Sequence, residues 1–352
     1  MMTVRFKHLM IVLVALLSLA SCDHEEPVNP IKPVSERTLL VMDVKGNIRD
    51  IEGRLIKTLP DCQVATHIIV VDGDYFVSGV NSKQKVGYWK NGKWNTLHVD
   101  FIDDVDHRTV GIAKWDYNIY LLDYPNVLRN SGIFRLKDSE NFTPAMHGIS
   151  VSEGNCYVVG IDNMPMGDFN FKYMPVLYTQ RKGAYEKSYL ALPAGCDEGQ
   201  CQSIYAYDRT HYVAGGSAGR QAAIWDDGVV HILPRLFDYA LPANSRNMVS
   251  RVYAVAKHGS HIYAAGVEYG ENHLPVTVYW ADGVPQKLVY STAERLISNV
   301  ADMEVYGDDV YILTQESPMS TSSEEYEVTS VIWMNGKYLA SFLGQVTSIA
   351  VY

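Results

Sequence analysis

A short pattern recurs along the chain: a turn, then an aromatic residue inside an apolar run, often followed by glycine. Its six copies are Tyr75-Phe-Val-Ser-Gly79, Ile119-Tyr-Leu-Leu122, Cys156-Tyr-Val-Val-Gly160, His211-Tyr-Val-Ala-Gly215, Ile262-Tyr-Ala-Ala-Gly266 and Val310-Tyr-Ile-Leu313. Their aromatic residues lie 37 to 55 residues apart. A repeat of this length is typical of β-propellers, in which each repeat forms one four-stranded blade.

A second pattern follows most copies of the first. Four of the six tryptophans stand three residues before a glycine, in Trp89-Lys-Asn-Gly92, Trp225-Asp-Asp-Gly228, Trp280-Ala-Asp-Gly283 and Trp333-Met-Asn-Gly336. Asn-Gly and Asp-Gly pairs accept positive φ angles and form tight hairpins. A further apolar strand precedes each aromatic run, so each repeat predicts four antiparallel strands, a to d.

The strand count predicts how the ring closes. Strand a begins near His67, Arg108, Gly148, Gln202, Arg251, Ala301 and Gln345. The seventh copy has no room for strands b, c and d before Tyr352, whereas segments 38–42, 47–51 and 55–59 supply all three. We therefore predict an all-β, seven-bladed propeller over residues 36–352, with N- and C-terminal strands sharing one blade. Six or eight blades are the alternatives that the pattern leaves open.

The first 21 residues predict an export signal. Arg5 and Lys7 precede an apolar run from Leu9 to Ala20, which is too short for a permanent membrane helix. The run ends in Leu19-Ala20-Ser21-Cys22, which resembles the lipobox of bacterial lipoproteins and implies cleavage before Cys22 and lipidation of that cysteine. Residues 22–35 hold three prolines and predict a stiff linker. An ordinary secretory peptide is the alternative.

The acidic net charge of the chain limits which classes of partner it can bind. Removing the leader leaves 28 basic against 40 acidic residues, with no basic stripe to neutralise phosphates. We therefore expect no nucleic-acid partner and membrane attachment through the lipid alone. The sequence Asp23-His-Glu-Glu26 is similar to the acidic stretch that directs Bacteroidota lipoproteins to the cell surface. The expected location is the outer membrane, with surface display as the further expectation.

Four cysteines follow Cys22. Export to an oxidising compartment permits disulfides, and the spacing of Cys196 and Cys201 leaves open either a disulfide or two free thiols. Cys156 lies in an apolar run and is interpreted as a core residue, while Cys62 is ambiguous. Cysteine and histidine spacings typical of metal sites are absent from the sequence, as are nucleotide-binding loops. We expect neither a metal nor a cofactor.

Long connections fall at one end of the predicted blades. An antiparallel meander places the a–b and c–d turns at one end and the b–c and d–a connections at the other. The second end carries the long segments 100–109, 123–131, 162–174, 194–201, 235–249, 267–275 and 315–328. We name it the long-loop face and its opposite the short-turn face. Long loops on a rigid scaffold commonly carry binding residues.

These loops are rich in aromatic and charged residues, which suit sugar rings and protein partners alike. The candidate ligand-binding residues are Asp103, Asp106, His107, Tyr124, Phe169, Phe171, Tyr173, Tyr239, Arg246, Tyr269 and Glu271. For any single aromatic residue, the simpler interpretation is that it seals a blade. The tyrosines of strand a and the four repeat tryptophans are interpreted as core. We predict a monomeric, non-catalytic module for a glycan or an envelope protein.

The alternative function is a polysaccharide lyase or hydrolase. Its acid and base would come from Asp103, Asp106, His107, Arg246 and Glu271, because catalytic residues scattered over several blades leave no motif. This hypothesis requires a pocket on the axis of the long-loop face where a carboxylate meets a histidine or an arginine. The acidic run around Asp103 is otherwise interpreted as a solvated loop, since its spacing points the oxygens at no single centre.

The repeats resemble known families. The run Gly87-Tyr-Trp-Lys-Asn-Gly92 and the relatives of Tyr263-Ala-Ala-Gly266 are similar to the repeats of Bacteroidota-like propeller lipoproteins. The pair Gly215-Gly216 followed by Trp225 resembles kelch propellers more distantly. The first resemblance covers nearly the whole mature chain and implies a fold, not an activity.

Overall fold

Seven sheets of four antiparallel strands surround one axis in the computed structural model. The structure describes residues 37–97, 109–123, 126–130, 132–136, 145–165, 171–181, 183–237, 248–270, 274–290, 296–318 and 328–352. Every regular element in these ranges is a β-strand. None of the described residues forms a helix long and apolar enough to cross a membrane.

The strands follow one another in chain order. The first half of the described chain contains β1 (Leu39–Asp43), β2 (Asn47–Arg49), β3 (Leu55–Thr58), β4 (Cys62–Val71), β5 (Asp74–Asn81), β6 (Val86–Lys90), β7 (Lys93–Thr96), β8 (Thr109–Trp115), β9 (Asn118–Asp123), β10 (Asn126–Arg129), β11 (Gly132–Arg135), β12 (Ala145–Ser152), β13 (Asn155–Pro165), β14 (Phe171–Arg181) and β15 (Ala184–Tyr189). The second half contains β16 (Gly199–Ala206), β17 (Tyr212–Ala218), β18 (Gln221–Asp226), β19 (Val229–Ile232), β20 (Ser250–His258), β21 (His261–Tyr269), β22 (Pro275–Ala281), β23 (Val284–Lys287), β24 (Leu296–Tyr306), β25 (Asp309–Pro318), β26 (Thr329–Met334), β27 (Lys337–Leu343) and β28 (Val346–Val351).

The predicted seven blades and their closure are confirmed. Blades one to six are the consecutive quartets from β4–β7 to β24–β27, and blade seven joins β28 to β1, β2 and β3. Strand β28 pairs antiparallel with β1, and Thr38 and Tyr352 exchange two backbone hydrogen bonds of 3.1 and 2.8 Å. Both termini therefore share one sheet, which removes the open edge of an unclosed ring.

Hydrophobic side chains fill the gaps between neighbouring blades, with one cluster for each of the seven gaps among the described residues. The four repeat tryptophans lie in these clusters and are at most 4% exposed, which confirms their core role. The indole nitrogens of Trp89, Trp225 and Trp280 donate to carbonyls of Pro60, Ala191 and Pro234, which precede strand a of the same blade. Each of these tryptophans therefore both packs a gap and fixes a connection on the long-loop face.

A β-bulge recurs in all seven first strands. At the same level of each, one residue has no partner in the pairing with strand b: Thr66, Val110, His147, Gln202, Tyr253, Ala301 and Thr347. Strand β4 has a second unpaired residue, Gln63, nearer its start. A bulge kinks its strand and changes the direction of its side chains. Because the bulges align around the ring, they mark one level of the axis near the long-loop face.

The bulge explains the glycine of the first repeat pattern. Gly79, Gly160, Gly216 and Gly266 lie in strand b, opposite the bulges of four blades. A Cβ atom at these positions would stand only 1.9 to 2.1 Å from a backbone oxygen of strand a. In blade four the glycine with this role is Gly216, whereas the repeat pattern His211-Tyr-Val-Ala-Gly215 ends one residue earlier.

First strands of neighbouring blades also bond to one another. The Ser348 hydroxyl accepts from the backbone N–H of Ile68 at 3.2 Å, and Asp302 accepts from the N–H of Ile349 at 3.0 Å. The Ser150 hydroxyl accepts from the N–H of Ala206 at 2.9 Å. The first two bonds link the C-terminal strand to both of its neighbouring blades, so they reinforce the ring where the chain ends meet.

Two of the predicted long loops are wrong. Within segment 123–131, residues Asn126–Arg129 form β10 and pair with β9, so strand replaces most of the loop. Within segment 162–174, β13 and β14 stay paired out to Pro165 and Phe171. Hydrogen bonds between the two strands extend this hairpin, although its outer residues do not alternate between apolar and polar. The apolar pattern alone did not predict this effect of cross-strand pairing.

Candidate functional site

The innermost strands bring polar side chains to the axis at its long-loop end. His147 is the bulged residue of β12 in blade three, and Arg251 lies two residues before the bulge of β20 in blade five. The positive charge of Arg251 contributes to the lowered pKa of His147. Since blade four stands between the two strands, we place both side chains in the axial space at the long-loop end.

His147 is a neutral imidazole at neutral pH. Burial lowers its pKa first, and the nearby guanidinium of Arg251 lowers it further. Its Nε2 atom is buried and has no hydrogen-bond partner among the described residues. A buried polar nitrogen without a partner loses its solvation without compensation, at about 1 to 3 kcal/mol.

Arg251 also carries a buried nitrogen, its Nε atom, without a hydrogen-bond partner among the described residues. Its guanidinium carbon lies 5.8 Å from the ring centroid of Tyr253, the bulged residue of the same strand. Tyr269, at the end of β21, lies close enough for both residues to affect its pKa, which burial chiefly raises. We name His147, Arg251, Tyr253 and Tyr269 the axial cluster.

Two carboxyl groups lie deeper along the axis, on β24 of blade six. Asp302 accepts bonds from the backbone N–H of Ile349 at 3.0 Å and from the Ser348 hydroxyl at 2.5 Å. Glu304 lies three residues beyond the bulge, about 10 Å along a strand. Burial and the charge of Asp302 raise the pKa of Glu304 to about 8, so its carboxyl is mostly protonated at neutral pH. We name Asp302 and Glu304 the acidic pair.

Glu304 also shows that the axial space is polar at this depth. In its ionised form Glu304 contributes to the raised pKa of Tyr205 on β16, although blade five separates the two strands. The Glu304 residue is half-buried overall, but its carboxyl group lies within the protein and is poorly solvated. The side chain therefore faces a narrow space that water reaches and where bulk screening is weak.

One buried acid, Glu268, holds the rim of the long-loop face in place. Glu268 in β21 is fully buried and accepts bonds from the N–H groups of Leu236 and Phe237 at 2.7 and 3.0 Å, and from Arg235 Nε at 3.2 Å. These bonds fix the start of the long connection between β19 and β20. In the same region, the N–H of Val249 donates to the carbonyl of Arg220 at 2.8 Å. The rim beside Arg251 is thus firmly held.

Two of the predicted site residues have described side chains. Tyr269 belongs to the axial cluster. Tyr173 is 43% exposed and lines a shallow pocket on the same face with Glu198, Gln200, Arg220 and Met248. The structure does not describe Asp103, Asp106, His107, Tyr124, Phe169, Tyr239, Arg246 and Glu271, and for Phe171 it describes only the backbone.

The sequence interpretation missed the polar residues of the first strands. His147, Arg251, Asp302 and Glu304 interrupt runs that otherwise read as apolar strands. Their signal was available, because they fall at or within three residues of the aligned bulge in their repeats. The prediction that Tyr205 and Tyr253 are core residues holds in part: both pack against a hydrophobic cluster and also reach charged groups near the axis.

Of the two alternatives left open for Cys196 and Cys201, the structure has the free thiols and not the disulfide. Cys201 is a fully buried residue of β16 whose thiol donates to the carbonyl of Gly215 at 3.5 Å. Cys196 lies outside that strand, with its sulfur beside Gly219. The two side chains contact different groups, so closeness in sequence does not bring the sulfurs together.

The remaining thiols are unreactive by environment. Cys156 is fully buried, which confirms its core role, and burial raises its pKa to about 12. Burial and the charge of Asp43 raise the pKa of Cys62 to about 11. In the described ranges no three His, Cys, Asp or Glu side chains converge in a way that could hold a metal ion.

No protein-family model matches the chain, and no curated protein matches it closely enough to count as a relative. Solved β-propeller structures do align with it. AztD from Citrobacter koseri matches with a TM-score of 0.48 at 11% identity, over 90% of this chain and 98% of that one. Hsv2 from Kluyveromyces lactis matches with a TM-score of 0.44 at 11% identity, over 88% and 95%. Likeness at this level concerns the fold alone.

Proposed function

We propose that this chain is a lipid-anchored, non-catalytic binding protein of the outer membrane, which captures a glycan or an envelope protein on its long-loop face. The observation that carries the proposal is the axial cluster. Its buried Arg251 Nε and His147 Nε2 atoms lack partners among the described residues. The Tyr253 ring lies against the Arg251 guanidinium, and Tyr269 lies near enough to both for them to affect its pKa. Unsatisfied buried polar groups are rare in folded proteins and call for an explanation.

A bound ligand supplies that explanation. A hydroxyl, amide or carboxylate entering from the long-loop face would satisfy both nitrogens, and tyrosine rings would cover the apolar side of a sugar or a side chain. The braced rim supports this role, because Glu268 and the Val249–Arg220 bond hold the mouth in one geometry. Preorganised sites bind more tightly since less entropy is lost on binding.

The binding claim is tested with the full-length lipidated protein in detergent on a glycan array and by co-purification from membranes. Tyr269→Ala should weaken binding at least tenfold, because it removes a ring of the axial cluster. Tyr117→Ala is the matched control, since Tyr117 is 76% exposed in a turn on the short-turn face. Binding that survives Tyr269→Ala, or that both variants reduce equally, contradicts a site at the long-loop mouth.

The anchor is tested separately. Cells labelled with radioactive palmitate should yield a labelled wild-type protein and an unlabelled Cys22→Ala variant, since the lipidated group is the thiol of Cys22. Protease treatment of intact cells should then digest the wild-type protein if it is displayed outside. Equal labelling of both proteins contradicts lipidation at Cys22.

One observation favours an enzyme as the second candidate. In the acidic pair, Glu304 can donate a proton at neutral pH beside a carboxylate that accepts hydrogen bonds, a combination used in acid–base catalysis. Only a group that enters about three strand residues past the bulge would reach it. Polysaccharide cleavage by the wild-type protein that Glu304→Gln abolishes would establish this alternative, and cleavage unaffected by the change would exclude this pair from it.

A further inference from the structure

The chemistry of the axial cluster narrows the class of ligand. Arg251 is a permanent cation whose Nε atom has no hydrogen-bond partner among the described residues, and no ion pair of Arg251 is found in that part of the chain. His147 lies near enough for the charge of Arg251 to lower its pKa, and as a neutral imidazole it can donate one hydrogen bond. An uncompensated cation at a recessed position favours an anionic group, and a guanidinium matches the planar, two-oxygen geometry of a carboxylate.

The surroundings favour a group with a single negative charge. The site offers one formal positive charge, and Asp302 lies on a neighbouring strand deeper along the axis. A dianionic phosphate group would bring more charge than Arg251 balances and would face that carboxylate. The mature chain also carries more acidic than basic residues, which opposes a densely charged polyanion.

The two tyrosines of the axial cluster suit the sugar ring of such a ligand. Tyr253 lies under the guanidinium, and Tyr269 lies close to both. Tyrosine rings stack on the C–H faces of sugars, and their hydroxyl groups bond to sugar oxygens. A sugar acid combines a ring for the tyrosines with a carboxylate for the arginine.

We propose that the long-loop mouth recognises the carboxylate of a uronic-acid residue in a glycan, with Arg251 and His147 holding the carboxylate and Tyr253 and Tyr269 flanking the sugar ring. This inference rests on the proposed binding function and assigns its ligand class. Specificity comes from the charge: a neutral sugar of the same shape leaves Arg251 without a partner.

The test compares matched ligands. A library of uronic-acid-containing oligosaccharides is immobilised before and after carbodiimide–borohydride reduction, which converts each carboxylate to a primary alcohol and leaves the rest of the glycan intact. The full-length protein in detergent should bind the acidic form of at least one glycan about ten- to a hundredfold more tightly than its reduced form, the usual range for a charge-assisted pair.

Variants then locate the effect. Arg251→Met should remove the preference for the acidic form, and Arg251→Lys should retain part of it because the charge remains without the planar fork. Lys257→Gln is the control, since it removes a positive charge from the same strand near the short-turn face, where Lys257 pairs with Asp226. Thermal unfolding of each variant shows whether it is folded, and Arg251→Lys keeps the test valid if Arg251→Met is not.

Each outcome decides a separate point. Equal binding of acidic and reduced glycans, weakened by Tyr269→Ala, overturns the carboxylate inference and leaves the binding function standing. A charge preference that Arg251→Met retains overturns the assignment to this cluster. Absence of binding to any glycan, with no envelope protein co-purified, overturns both the inference and the proposed function.

Discussion

The two faces of the ring treat their polar groups differently. On the short-turn face, an Asn or Asp side chain in the c–d turn of five blades accepts the N–H of a residue that begins strand b. These pairs are Asn91 with Tyr75, Asn130 with Ile119, Asp227 with Tyr212, Asp282 with Ile262 and Asn335 with Val310, at 2.8 to 3.1 Å. The same turn residues adopt positive φ, so each one both makes its own hairpin and caps its neighbour.

Within the part of the chain that the structure describes, the long-loop face leaves buried nitrogens of His147 and Arg251 without partners. Its backbone is nevertheless firmly held by the bulges, the tryptophan bonds and Glu268. The difference teaches that local turn chemistry supplies stability at one end, while the other end keeps a fixed frame around groups that the fold itself does not satisfy. Polar groups are thus satisfied locally at one end of the strands and left unsatisfied at the other, among the residues described.

The largest effect should come from the frame of the long-loop end. Gly216→Ala places a methyl group 1.9 Å from the carbonyl oxygen of Gln200, so the bulge or the strand must shift. We expect the free energy of unfolding in urea to fall by about 3 kcal/mol or more. Gly132→Ala is the control, because its Cβ meets only contacts of 3.5 Å and longer. Equal unfolding curves for the two variants would remove the bulge from the explanation.

A smaller effect should come from the caps of the short-turn end. Asn335→Ala removes the acceptor for the Val310 N–H and places alanine at a φ of 53°. We expect a loss of about 1 to 2 kcal/mol in the free energy of unfolding. Asn335→Gly removes the cap alone and should lose less, since glycine tolerates positive φ. An Asn335→Ala protein as stable as the wild type would show that the caps add nothing.

The free energy of unfolding should depend on pH through the carboxyl group of Glu304. The pKa of Glu304 is about 8 in the folded chain, against about 4.3 when unfolded, so between these values the folded state retains a proton that the unfolded state has lost. The free energy of unfolding should therefore decrease as pH rises from 5 to 8, and Glu304→Gln should remove this component. Urea unfolding at four pH values measures it, with the exposed Glu52→Gln as control. A wild-type slope that persists in Glu304→Gln contradicts the assignment.

The smallest effect should come from the connection before β16. Because Cys196 and Cys201 are free, Cys196→Ser should change the free energy of unfolding by less than about 0.5 kcal/mol. A disulfide at this place would contribute about 2 kcal/mol or more, and non-reducing mass spectrometry would detect it by a loss of two hydrogens. If the wild type were more stable than Cys196→Ser and a reducing agent removed the difference, the disulfide alternative would be the correct one.

Prediction from sequence succeeded where a repeated local signal matched a local cause. The Asn-Gly and Asp-Gly turns, the aromatic runs and the tryptophan spacing located all seven blades, since turn geometry and strand alternation depend on neighbouring residues. The hairpin of β13 and β14 was misjudged because its length depends on cross-strand pairing. The sequence placed the candidate site in the loops and missed the polar residues of β12, β20 and β24, because one or two polar residues within an apolar strand form no motif of their own.

The sequence by itself predicted a propeller of seven blades, with six and eight left open, and the joining of residues 38–42 to the C-terminal strand, because turns and apolar periodicity are written in contiguous residues. Only the tertiary structure decided which polar residues meet. His147 and Arg251 stand 104 positions apart in the chain, and nothing local relates them. They face one space because closing the ring turns seven aligned bulges toward a common axis, a condition that exists only when all the blades are in place.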